Sequence, residues 1–264
     1  MELLDALRLQ WEWGADEALL STPQDRRHAP PLVPAPAIIK PATPSPHRLA
    51  SPVLAGPEDA ARLAATCTSL DQLKDAMQNF EGCALKHTAS QLVFADGAEN
   101  ARLVIVGEAP GGEEDSIGKP FVGPAGLLLD KMLGSIGLDR TTVRIINTVP
   151  WRPPGNRAPT ETEIALCLPF LHRHIALIEP LGIMALGAVA SKALLGSAAQ
   201  PGIRRLRGQW HQASINGLPT PLPCLPSYHP AYLLRMPMAK KEAWEDMLNL
   251  YEWLKEQEVT VKKS

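Results

Sequence analysis

With 264 residues, 45% of them hydrophobic and 20% charged, the chain has the composition of an ordinary globular protein, long enough for one sizeable core plus appendages. A formal net charge of -2 excludes a global basic field, so a nucleic-acid ligand would have to be met by local patches. No apolar run reaches the roughly 18 residues a membrane helix needs, and the N-terminus MELLDALRLQ carries acids, so a soluble cytoplasmic protein without a leader or membrane partner is expected.

In chain order, residues 1–20 place Leu4, Leu7 and Trp11 at helical spacing, which predicts a short amphipathic helix. Residues 21–58 hold ten prolines and read as an extended linker. The remainder, 59–264, reads as one domain. Order is expected to resume near Pro57 with one or two helices, the second opened by Ser69 and Asp71. From residue 102 short apolar runs alternate with helical periodicity. Strands are predicted at 102–106 (RLVIV), 143–147 (VRIIN), 182–186 (GIMAL) and before Ser227, with helices at 125–136, 160–178, 188–195 and 240–255. In the last helix Trp244, Met247, Leu248, Tyr251 and Leu254 would share one face. Buried strands separated by helices imply an α/β fold, a four-stranded parallel sheet sandwiched by helices. In such sheets ligands bind where strands end, so chemistry is sought in the loops after Val106, Asn147, Leu186 and Ser227.

The first of these loops, Gly107–Gly126 (GEAPGGEEDSIGKPFVGPAG), holds six glycines, three prolines and four carboxylates. It matches neither GxGxxG nor a P-loop, which disfavours a nucleotide cofactor. A stiff, close-approaching backbone with Phe121 as an aromatic face suits a flat base instead. Asn147 ends the second strand, where its amide could read a pyrimidine edge or, as the plainer alternative, satisfy its own turn. Arg152, Asn156 and Arg157 make a stiff basic loop fit for phosphates or simply for solvent. Thr160 with Glu163 forms a capping box. His229, in SYHPAYLLR, sits at a strand end before proline, a position from which catalytic groups project, although a lone histidine is more often structural. Tyr232, Leu233 and Leu234 beside Arg235 read either as an apolar wedge next to a phosphate contact or as a helix turn packed on the core. The four cysteines, Cys67, Cys83, Cys167 and Cys224, show no CxxC pair and read individually as small buried hydrophobes.

Together, the Gly107–Gly126 loop, NTVPWRPPGNRAPTETEIALCLPFL, LGAVASKALLG and SYHPAYLLR resemble the family 4 uracil-DNA glycosylases over roughly residues 78–256. The resemblance implies the three-layer fold of that superfamily and excision of uracil from DNA without lyase activity. Carried over by motif, Phe121 would stack on the extruded base and Asn147 would bond its edge, with Gly107 and Ala109 lining the same slot. His229 would stabilise charge on the departing base, and Glu108 and Glu114 would lie beside the sugar. Arg152, Asn156, Arg157, Tyr232, Leu233 and Arg235 would contact DNA. Ala109 stands where another family of the superfamily has a water-activating aspartate, so that task falls to Glu114, Asp115, Glu108 or backbone groups. Relatives carry a [4Fe-4S] cluster on four cysteines; the corresponding positions here are Phe80, Cys83, Trp151 and Cys167. With only two thiols left, no cofactor is expected, the aromatics filling the vacated volume. A monomer acting on uracil-containing DNA is expected, with the N-terminal helix available to a repair or replication protein. The alternative is a catalytically weak DNA-binding or uracil-sensing protein of the same fold.

Overall fold

The computed structural model describes residues 56–261, with side chains through residue 257. The helix expected over 1–20 and nearly all of the linker expected over 21–58 lie outside the described residues.

Three helices come first: α1 (Pro57–Thr66), α2 (Leu70–Asn79) and α3 (Leu85–Thr88). Pro57 opens α1 at a position that needs no amide donor, so Pro57 and Glu58, assigned to the linker, already belong to a helix. Ser69 caps α2 by accepting the Gln72 amide at 3.2 Å. There follow β1 (Asp96–Gly97), β2 (Leu103–Gly107), α4 (Gly112–Ile117), α5 (Pro124–Gly134), β3 (Val143–Asn147), α6 (Glu161–Ile178), β4 (Gly182–Leu186) and α7 (Gly187–Leu195). The chain continues through α8 (Ile203–Leu206), β5 (His211–Ala213), β6 (Leu222–Ser227), α9 (Pro230–Arg235) and α10 (Lys240–Val261). The capping box holds: Glu163 donates its amide to Thr160 Oγ1 at 3.2 Å and accepts the Thr160 amide at 2.7 Å.

The sheet has six strands in the order β1-β3-β2-β4-β6-β5, not four. The four expected strands are its parallel centre, in register Val106 with Ile146 and Ala185, and Leu186 with Ser227. The additions are the antiparallel edges β1 and β5, of two and three residues, too short and too partly exposed to leave an apolar run in the sequence.

Every residue of β2, β3 and β4 is buried, and alternate side chains serve opposite faces. Val104, Val106, Ile183 and Ala185 pack beneath Leu171 and Ile175 of α6 and Ala190 and Leu194 of α7. Leu103, Ile105, Val143, Ile145 and Met184 pack against Leu129 and Leu133 of α5 and Met247 and Leu250 of α10. On α10 the buried stripe runs through Ala243, Met247 and Leu250, while Trp244 and Leu248, expected on it, are exposed. No helix of the described residues is long and apolar enough to cross a membrane.

Candidate active site

The carboxyl ends of β2, β3 and β6 deliver the three residues the sequence singled out to one cavity of about 430 Å³. Its lining includes Glu108, Ala109, Glu114, Phe121, Asn147, His229, Tyr232 and Arg235. Gly107 lets this happen: a Cβ on it would lie 2.4 Å from Asn147 Oδ1 and 2.6 Å from the Phe121 ring, so any side chain there would displace both.

Phe121 is held in a conformation that bulky residues avoid, φ +55°. Two clamps hold it. On one side Glu114 Oε1 accepts the amides of Val122 and Gly123 at 3.0 and 2.9 Å, while Oε2 caps α4 through the Gly111 amide at 3.1 Å. On the other, Arg140 donates to the backbone oxygens of Pro120 (3.1 Å) and Phe121 and is anchored by Asp96 (2.7 Å) and Asp130 (2.9 Å). Gly126 completes the fit, since a Cβ there would stand 1.7 Å from the Phe121 carbonyl.

Asn147 is 7% exposed, and neither its Oδ1 nor its Nδ2 finds a hydrogen-bond partner among the described residues. Leaving both ends of a buried amide unpaired costs on the order of 1–3 kcal/mol per group. A ligand that offered a complementary donor and acceptor would relieve that cost.

His229 caps α9, its Nδ1 accepting the Ala231 amide at 3.2 Å. The ring proton of the neutral imidazole therefore sits on Nε2. Burial, with Arg235 nearby, lowers its pKa to about 4 against the opposing pull of Glu114, so the ring is neutral at pH 7. The Phe121 and His229 rings stand 5.4 Å apart, 29° from parallel. A planar base needs contact distances of about 3.5 Å on both faces, roughly 7 Å in all, so it must lie beside this pair and not between its members.

The carboxylates separate by role. Glu114 is spent on three backbone amides and Asp115, buried, on the Ser90 amide and hydroxyl at 2.8 and 2.9 Å. Glu108 alone of the three lines the cavity with no hydrogen bond among the described residues, and burial raises its pKa against the pull of Arg235. Its backbone oxygen, by contrast, is fixed by the Val149 amide at 3.1 Å.

The expected DNA-contacting residues divide. Asn156, Arg157, Tyr232 and Arg235 border the cavity, whereas Arg152 does not and instead donates to Asn156 Oδ1 at 2.8 Å. Leu233 is 1% exposed and packs with Tyr228 and Ala243, so its side chain is core and not wedge; its neighbour Leu234, 44% exposed, points outward. Unanticipated lining residues are Pro110, Gly111, Ala125, Pro153 and Ala231, whose small or rigid side chains carry no chemical signature in a sequence.

Behind the β3 loop, Phe80, Cys83, Trp151 and Cys167 meet in one buried cluster with Phe170, whose ring stands edge-on to Phe80 at 5.1 Å. All four cysteines are free and buried. A hydrogen bond with Cys83, reinforced by burial, keeps the Cys167 thiol well above the ordinary range. Two protonatable thiols and two packed aromatics are not a four-thiolate ligand set, so these residues do not fit an iron-sulfur cluster.

The uracil DNA glycosylase superfamily model matches residues 94–249. The chain belongs to that superfamily. Several relatives of this chain are type-4 uracil-DNA glycosylases. The type-4 uracil-DNA glycosylase of Pyrobaculum aerophilum is 38% identical over 181 residues, 67% of this chain and 91% of the relative. That of Saccharolobus solfataricus is 36% identical over 196 residues, 73% and 90% of the two chains. The one from Thermotoga maritima is 37% identical over 169 residues, 63% and 83%. The resemblance to family 4 thus agrees with these relatives, and the matched region of the superfamily spans every strand of the sheet from β1 to β6.

Proposed function

We propose that this chain is a monofunctional uracil-DNA glycosylase that takes a flipped uracil into the Phe121–Asn147–His229 cavity and hydrolyses its bond to deoxyribose. The observation that carries the reading is the buried, doubly unpartnered amide of Asn147 inside that cavity. One donor and one acceptor at fixed spacing complement the imide edge of uracil. Phe121 supplies the stacking face.

As the glycosidic bond breaks, its electron pair leaves with the base and positive charge builds on the sugar. His229, neutral and with its proton on Nε2, donates to a carbonyl oxygen of the departing base without having to lose that proton. Glu108, the carboxylate of the cavity lining without a hydrogen bond among the described residues, favours the cationic sugar and accepts a proton from water as the water oxygen bonds to the anomeric carbon. Glu114 acts on this chemistry by fixing the loop that carries Phe121 and by its charge near His229. Phosphate contacts offset the few kcal/mol that extrusion costs. The protein acts without a cluster, as a monomer, through the domain that opens at Pro57, and its N-terminal stretch serves a repair or replication partner.

Purified protein should release free uracil from a uracil-containing single strand and leave an alkali-labile site. Tight binding without free uracil would instead make it a sensor of the same fold. Iron and sulfide analysis of the protein as isolated should find neither in stoichiometric amount; one cluster per chain would overturn the proposal that it acts without one.

A further inference from the structure

The cavity mouth has two lips, and their cations differ. On the β3 side Arg157 is neutralised by a bidentate pair with Glu163 at 2.8 and 2.6 Å, and Arg152 is committed to Asn156 with Asp115 4.0 Å away. On the α9 side Arg235 lines the cavity and forms no ion pair among the described residues. Behind α9 stands α8, whose Ile203 packs with Tyr228, Tyr232 and Leu233. That contact turns Arg204 and Arg205 to solvent. Arg204, exposed on α8, lies close enough to Tyr232 of the cavity wall for the two side chains to interact electrostatically. Arg207, three residues on, is structural instead: its Nε meets Asp246 at 3.0 Å. Glu242, the carboxylate that Arg204 senses, accepts the Tyr228 hydroxyl at 2.8 Å.

We propose that Arg204 and Arg205 of α8, continuing from Arg235 of α9, form the track that holds the DNA backbone on one side of the extruded nucleotide. This rests on the glycosylase reading and extends it to residues outside the cavity. A strand that delivers one base into the slot must carry its neighbouring phosphates away across both lips. Free guanidinium groups gain from meeting a phosphate, whereas Arg157 would first have to surrender Glu163. The track explains how a chain with net charge -2 can bind a polyanion: the positive potential is local and sits where the strand passes.

Binding of a uracil-containing single strand, measured over a range of salt concentrations, tests this. The parent chain is compared with an Arg204→Ala/Arg205→Ala variant and an Arg204→Lys/Arg205→Lys variant. Losing two phosphate contacts should flatten the slope of log affinity against log salt by about 1.4 for a single strand. The lysine variant should keep most of the parent slope, and all three should excise uracil at one rate in single turnover at saturating DNA. An unchanged slope in the alanine variant, an equal flattening in the lysine variant, or a lower saturating rate with the slope intact would each overturn the track. If the parent released no uracil and yet the slopes differed as expected, the glycosylase reading would fail while the track stood.

Discussion

Asn147 concentrates the tension between folding and function in one side chain. Its amide is buried, and neither Oδ1 nor Nδ2 has a partner among the described residues, so the native state bears a desolvation cost that a ligand would relieve. Asn147→Ala removes both polar atoms at the expense of a small void. The unpaired groups cost about 1–3 kcal/mol each and the lost packing less, so thermal stability should hold or rise. Excision should fall about 10- to 100-fold in kcat/KM, the worth of one bidentate base contact. Thermal denaturation beside uracil-release kinetics decides it: a variant several degrees less stable would mean that Asn147 holds the fold.

The loop from Gly107 to Phe121 shows how an element is aimed. Phe121 has positive φ and a bulky side chain, so its backbone geometry must be imposed by its surroundings. Arg140, in the turn before β3, imposes it by joining Asp96 of β1 and Asp130 of α5 to the carbonyls of Pro120 and Phe121. Arg140→Lys keeps the charge but not the fork that spans four acceptors. The stacking face should then wander, raising KM and lowering kcat while the sheet stays folded. Circular dichroism with steady-state kinetics reads this, and unchanged kinetics would show that Glu114 alone fixes the loop. Here the sequence was legible in part. The strands flanking the loop are continuous apolar runs, and the glycines and prolines announce a rigid turn. The arginine clamp was hidden because Arg140 meets Asp96 across 44 residues of sequence. Leu233 was misassigned to the DNA surface for the same kind of reason: a six-residue helix offers too few turns for periodicity to say which leucine faces the core.

At the scale of the molecule, three histidines among the described residues are held neutral by burial, and this couples the site to global stability. The pKa of His229 falls to about 4 and that of His174 to about 3, while that of His172 is lowered as well. All three are depressed below the value of an unfolded histidine, about 6.5. Below that pH the unfolded chain binds protons that the folded chain refuses, so stability is lost as pH falls from about 6.5 toward 4. Each histidine contributes a slope of up to about 1.4 kcal/mol per pH unit in that window. Glu108, raised by burial, acts in the opposite sense, whereas Glu163, lowered to about 2 by Arg157, adds to the loss once pH drops below the ordinary glutamate range. Between pH 6.5 and 5 the histidines therefore govern. His229→Asn isolates one of them, because asparagine can still accept the Ala231 amide at the start of α9 and cannot titrate. Urea unfolding at pH 7, 6 and 5 should show the variant less acid-sensitive than the parent, by up to about 1.4 kcal/mol per unit and more between pH 6 and 5 than between 7 and 6, and excision should be strongly impaired. Equal acid sensitivity would mean that His229 is protonated in the native state, and a neutral Nε2 donor to the departing base would then have to be given up.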